Sequence, residues 1–170
     1  MDFIIIHGAP GTGKSTVASI LHKKIGMPWF EFGWIPEFTK LNPHSRISSE
    51  EEEQMSFENL VLVCKNYAKH GYGNVTITDL NDARLAEIPS VFEGFEYAIV
   101  TLFSERDEVI TQRLTDRDNG NEYRNYVEAI EINRRIAHRL PQKSECRIRS
   151  DNRTPESIAD EIIGIIQKTD

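Results

Sequence analysis

Near the start of the chain, Gly8-Ala9-Pro10-Gly11-Thr12-Gly13-Lys14-Ser15 matches G-x-x-x-x-G-K-[ST], the phosphate-binding P-loop pattern. The chemistry requires these residue types. Glycines let successive backbone N–H groups turn toward an anion with no Cβ in the way. A helix opening at the end of the loop adds partial positive charge. Lys14 has the reach for the β- and γ-phosphates of a nucleoside triphosphate, and the Ser15 hydroxyl suits Mg²⁺. With Thr16 in the first helical turn, Gly8 to Thr16 is the expected phosphate cradle. A chance glycine-rich turn would look the same in isolation, but here a strand pattern precedes the loop and a helix pattern follows it.

Four further residues could carry charge to the same place. Val75-Thr76-Ile77-Thr78-Asp79 ends an apolar strand on a carboxylate. In open α/β sheets ligands bind beyond the carboxyl ends of strands, so Asp79 could hold Mg²⁺ through water or orient an acceptor hydroxyl. An aspartate that merely opens a turn with Asn81 and Asp82 would read identically. Arg113 and Arg117, four residues apart, share one helix face. One could lie on a base and the other on a transferring phosphoryl, or both could be a solvated helix end. Val127, Ile130, Arg134 and Ala137 follow the spacing of a buried helix face, which predicts an inward Arg134. A buried guanidinium must meet an anion or an internal carboxylate.

The elements that would position these groups alternate from end to end. Strands are predicted at Phe3 to His7, Trp29 to Gly33, Val75 to Leu80, Tyr97 to Phe103 and Cys146 to Arg149. Helices are predicted at Lys14 to Ile25, from about Ser49 to Lys69, Glu105 to Arg113, Tyr123 to Leu140 and Thr154 to Gln167. Ser49 with Glu52 reads as a capping box, and Glu50 to Glu53 as a solvated first turn. Pro155 suits a first helical position. Strands alternating with helices imply a parallel sheet covered on both faces, in one domain spanning 1–170.

Composition narrows the function. The chain has 170 residues, 39% hydrophobic and 28% charged, and a net charge of −7. That acidity counts against a nucleic-acid binder, which needs a basic stripe. Cys64 and Cys146 have no metal-ligand spacing and read as free thiols of a reducing compartment. The apolar run at Phe3-Ile4-Ile5-Ile6 lacks a basic flank and is too short for a signal or a membrane span. A cytoplasmic protein is expected, monomer or homodimer, with no membrane or nucleic-acid partner.

In its loop, length and layout, the chain resembles the P-loop kinase superfamily of nucleoside-monophosphate and shikimate kinases. The resemblance implies a three-layer α/β/α fold with a five-stranded parallel sheet in the order 2-3-1-4-5. It implies that Arg113-Leu114-Thr115-Asp116-Arg117 is the R-x-x-x-R of a lid over ATP, with the lid at about 116–124. Related kinases carry phosphate-binding arginines on the helix that holds Arg134. Their last turn lines the adenine pocket, which implies Asn152 and Arg153 beside the base; a plain turn and N-cap would give the same letters.

The acceptor region, about 34–55, departs from the family. Many of these kinases end the second strand on an aspartate near the acceptor hydroxyl. Here Trp29-Phe30-Glu31-Phe32-Gly33-Trp34-Ile35-Pro36-Glu37-Phe38 offers only Glu31 or Glu37. Trp34, Phe38, His44 and Arg46 suit a ring-bearing acceptor: a nucleotide, sugar-like, shikimate-like or antibiotic hydroxyl. The expected activity is Mg²⁺-dependent transfer of the γ-phosphate of ATP to a small molecule. Its catalytic set would be Lys14, Asp79, Arg113, Arg117 and Arg134, with Ser15 and Asp79 at the metal. The rival reading is a nucleotide-dependent switch with slow hydrolysis. Against it, the chain has no Asn-Lys-x-Asp guanine motif.

Overall fold

β1 (Phe3–Gly8) is buried along its whole length and pairs in parallel with a strand on each side, β3 (Val75–Thr78) and β4 (Tyr97–Phe103). Two buried faces explain its unbroken apolar run. β2 (Trp29–Glu31) and β5 (Glu145–Arg149) complete the sheet in the order β2-β3-β1-β4-β5, all parallel, as the resemblance implies. The computed structural model describes residues 1–42, 44–116 and 123–168.

Alternation along β1 divides the core. Phe3 and Ile5 pack with Phe57, Leu60 and Cys64 of α2 (Ser49–Lys69) and with Leu85 and Ile88 of α3 (Asp82–Val91). Ile4 and Ile6 pack on the other side with Val17 and Leu21 of α1 (Lys14–Ile25) and with Ile158 and Ile162 of α6 (Pro155–Gln167). The result is three layers, helices on both faces of a parallel sheet. A third, smaller cluster joins α4 (Asp107–Thr115) to α5 (Tyr126–His138) through Ile110, Leu114 and Ala129. Among the described residues no helix is long and apolar enough to cross a membrane.

Several local expectations are corrected. The capping box at α2 is Ser48 with Glu51, one residue earlier than read. Glu52 is instead buried, at 2% exposure. Its carboxylate accepts the N–H groups of Phe38 (2.6 Å) and Thr39 (2.9 Å) and the Thr39 hydroxyl. Glu53 grips Arg84, so the acidic run is not simply solvated. β2 stops at Glu31, and Phe32–Trp34 forms a 3₁₀ turn. α3 had no counterpart in the sequence reading. α5 runs from Tyr126 to His138 and buries Ala129, Asn133 and Ile136, a face one residue out of phase with the expected one. Arg134 therefore points outward, its side chain 63% exposed and paired with Asp107. Val127, expected on the same inner face, is also exposed.

Candidate active site

The loop between β1 and α1 is built from tight approaches. A Cβ on Gly8 would meet the carbonyl oxygen of Leu102 and Thr12 Oγ1. Thr12 closes the turn by donating both its N–H (3.2 Å) and its hydroxyl (2.8 Å) to the carbonyl of Ala9. Gly13 caps α1 at φ 98°, with open space where a Cβ would project. No side chain caps this helix and its first turn holds no acid. The first N–H groups of the helix thus lack a side-chain cap, which is an anion-binding arrangement. The cradle thus fits a polyphosphate on its own geometry.

A cavity of about 490 Å³ opens in front of the loop, lined by residues 11–17 together with Arg113, Asp116, Arg153, Pro155 and Ile158. That is room enough for a nucleotide. Arg113 is fixed within it. Its guanidinium donates to Ser150 Oγ (2.9 Å), to the Ser150 carbonyl (2.7 Å) and to the Thr12 carbonyl (3.4 Å). Burial lowers its pKa, against support from nearby Asp151. Asp151 in turn receives the Ser104 hydroxyl and the Glu105 amide, which ties the turn before α6 to the end of β4. Arg153 reaches Glu161 (2.5 Å) and the Ser157 carbonyl (3.0 Å). Asn152 occupies the left-handed turn position at φ 54° and is exposed.

A second cavity, about 170 Å³, also has Lys14 in its wall. Its walls include His7, Gly8, Pro10, Lys14, Asp79, Asp82, Ile132 and Arg135. Asp79 sits there at φ 70°, just past the end of β3. His7 is only 2% exposed; burial holds its imidazole down at about 4, with Asp82 opposing, so the ring is neutral. His7 Nε2 lies 3.2 Å from Asp82 Oδ1, and Asp82 Oδ2 takes Arg135 at 2.8 Å. Glu31, at the end of β2 and in register with Thr78, carries a buried Oε1 with no hydrogen-bond partner. Trp34, 53% exposed, packs on Trp29 with ring centroids 5.0 Å apart. Trp29 is held by its indole N–H on Thr78 Oγ1 (3.1 Å).

The structure therefore gathers Lys14 and Asp79 in one cavity and Lys14, Ser15, Thr16, Arg113 and Arg153 in the other. Arg134 lines neither. Arg117 lies outside the described residues, as does most of the expected lid. His7, Asp82 and Arg135 had no place in the sequence-derived site. A histidine closing an otherwise apolar strand right before the loop was the available signal for the first.

No family model and no curated protein matches the sequence. Solved structures do. A sugar kinase from Janibacter sp. HTCC2649 superposes with a TM-score of 0.70 at 16% identity, covering 97% of this chain and 94% of that one. The tunicamycin resistance protein of Deinococcus radiodurans gives 0.66 at 18% identity, with 96% and 94% covered. Shikimate kinase from Aquifex aeolicus gives 0.57 at 18% identity, with 98% and 97% covered. The fold is the three-layer α/β fold that these structures share. At these identities the likeness to P-loop kinases speaks to architecture, and the chemistry has to be read from the residues.

Proposed function

We propose that this chain is a small-molecule kinase that transfers the γ-phosphate of ATP to an acceptor hydroxyl. One observation carries the reading: Lys14 lines both cavities. A nucleotide seated on the loop would direct its terminal phosphate toward Lys14, which the smaller cavity shares. Phosphoryl transfer needs little covalent chemistry from the protein, mainly alignment and charge. The loop amides and Lys14 hold the phosphates. Arg113, buttressed by Ser150, lies along the nucleotide cavity, with Arg153 and the turn at Asn152 beside the base. Residues 34–55 form the acceptor wall.

Ser15 and Asp79 are oxygen donors of the kind Mg²⁺ prefers, sharing it with phosphates and water rather than enclosing it. When bound, the ion neutralises charge on the phosphates. Glu31 orients the acceptor hydroxyl and receives its proton. Its unpartnered buried oxygen at the end of β2 favours it over exposed Glu37. Free thiols at Cys64 and Cys146 support a cytoplasmic setting.

The test is ADP release from Mg·ATP, measured alone and with a panel of nucleosides, nucleotides, sugars, shikimate-like acids and antibiotics. One acceptor should raise the rate well above the basal hydrolysis. A rate raised only by a protein partner would favour a switch instead.

A further inference from the structure

α2 meets the rest of the molecule along one side. Phe57, Leu60 and Cys64 are buried on that side, each no more than 1% exposed. The opposite line of the helix runs Met55, Asn59, Leu62, Asn66 and Lys69, and all five are exposed. Their spacing is four, three, four and three residues. That is the repeat by which one helix lays a continuous seam along another. From Met55 to Asn66 the line holds no charge, in a chain that is 28% charged. Leu62 stands 65% exposed at its centre. Among the described residues no element covers this line, and it belongs to neither cavity.

The flanking charges decide what could cover it. Glu50, Glu51 and Glu58 stand in the first half of α2, Lys65 and Lys69 toward its end. A uniformly basic or acidic partner would match one half and oppose the other. A second α2 running antiparallel matches both. Glu58 and Lys65 hold equivalent places, each just before an asparagine of the seam and on the same flank. Antiparallel helices set that flank against itself, so Glu58 of one copy meets Lys65 of the other, twice across the axis. Parallel helices would instead bring the acidic first turns together, which repels. Lys65 lies over the Phe95 ring, 5.8 Å from its centroid, which leaves its N–H donors for a carboxylate. A convex ridge of this kind does not enclose a small ligand, and its acidic half is repelled by anionic lipid.

We infer that the exposed face of α2 is a self-association surface, on which two copies pair antiparallel about a two-fold axis. Each copy offers the other the same patch, as such symmetry requires. Leu62 of one copy packs beside Asn59 of the other, so the two leucines meet near the axis, and Met55 lies beside Asn66. The asparagines weaken the seam and favour one register. One helix pair buries less than the roughly 800 Å² per partner of a standard interface, so the association is weak. This surface serves whatever reaction the cavities support.

Sedimentation velocity of the full chain, from low micromolar to about 0.5 mM, should show monomers passing to dimers with a half-point in the tens of micromolar. Leu62→Glu sets two like charges near the axis and should hold the chain monomeric throughout. Its melting temperature should not change, because the side chain it replaces is exposed. Glu58→Lys should weaken dimerisation about tenfold, and adding Lys65→Glu should restore it, because the pair is then reversed rather than broken. Circular dichroism checks that each variant is folded. A chain that stays monomeric at the highest concentration would overturn the inference. So would a dimer indifferent to Leu62→Glu, or a double variant that associates no better than Glu58→Lys alone.

Discussion

The carboxylate of Glu52 accepts the backbone N–H of Phe38 at 2.6 Å, tying the segment that follows β2 to the first turn of α2. With Thr39 held by the same group, this acid organises a turn whose neighbours Trp34 and Phe38 remain exposed. Glu52→Ala should cost roughly 2–4 kcal/mol, the scale of hydrogen bonds to a charged group left unmade. The damage should be local. Hydrogen exchange should accelerate over 36–42 while nucleotide affinity stays near the parent value. Unchanged exchange there would show that the turn holds without Glu52.

Lys14 sits where the two cavities meet. Lys14→Ala should lower turnover on the order of a hundredfold or more, as removal of preorganised charge from a transition state does. The melting temperature should scarcely change. A well-folded variant with near-normal ATP-dependent turnover would refute the assignment.

Buried His7 makes stability depend on pH. Its ring has a pKa of about 4 in the folded chain, against an ordinary 6.5, because burial disfavours the charge. The unfolded chain therefore takes up a proton below 6.5 that the folded chain refuses until about 4. Stability should be full above that upper value and fall by about 1.4 kcal/mol per pH unit on acidification, roughly 3 kcal/mol in all. Glu145 extends the loss. Burial raises its pKa, but Arg139, Thr101 and the Gln142 amide more than offset this and hold it at about 2, so its contribution fades below 4.5. Denaturant unfolding at a series of pH values checks this, and His7→Asn should flatten the upper part of the curve.

Arg134 and Arg135 are adjacent but differ in surroundings. Arg134 pairs with Asp107 in solvent, whereas Arg135 pairs with Asp82 on the cavity wall. Arg134→Met should leave melting temperature and turnover near the parent values. Arg135→Met should lower turnover, on the order of tenfold, by freeing Asp82 beside His7 and the transfer site. The reverse ranking in a paired assay would restore Arg134 to the site.

Much of this was legible before the fold was known. The loop, β1, α1, β4 and α6 announce themselves because burial on one or two faces imposes a strict apolar period. The rest was hidden for identifiable reasons. α3 buries only Leu85 and Ile88 and carries Pro89 inside it, so its pattern is thin. The face of α5 was misread because its buried centre is polar. Asn133 exchanges two hydrogen bonds with the backbone of Ser104, at 2.9 and 2.8 Å, a contact that no hydrophobic period can signal. At α2 two Ser-x-x-Glu pairs overlap, and only the turn at Phe38 decides which glutamate goes inside. The pairing of Arg135 with Asp82 depends on α3 and α5 meeting, which the sequence does not disclose.

The two borders of the sheet bear on how the molecule behaves when concentrated. β2 is only three residues long, and β5 alternates Glu145, Arg147 and Arg149 along its length. Short or charged edge strands resist pairing with a further strand. Neither border is then an easy template for fibril growth or for a sheet continued across two copies. Should the chain dimerise, the favoured contact is through its helices, and crowding should lead to reversible association rather than to β-rich aggregates.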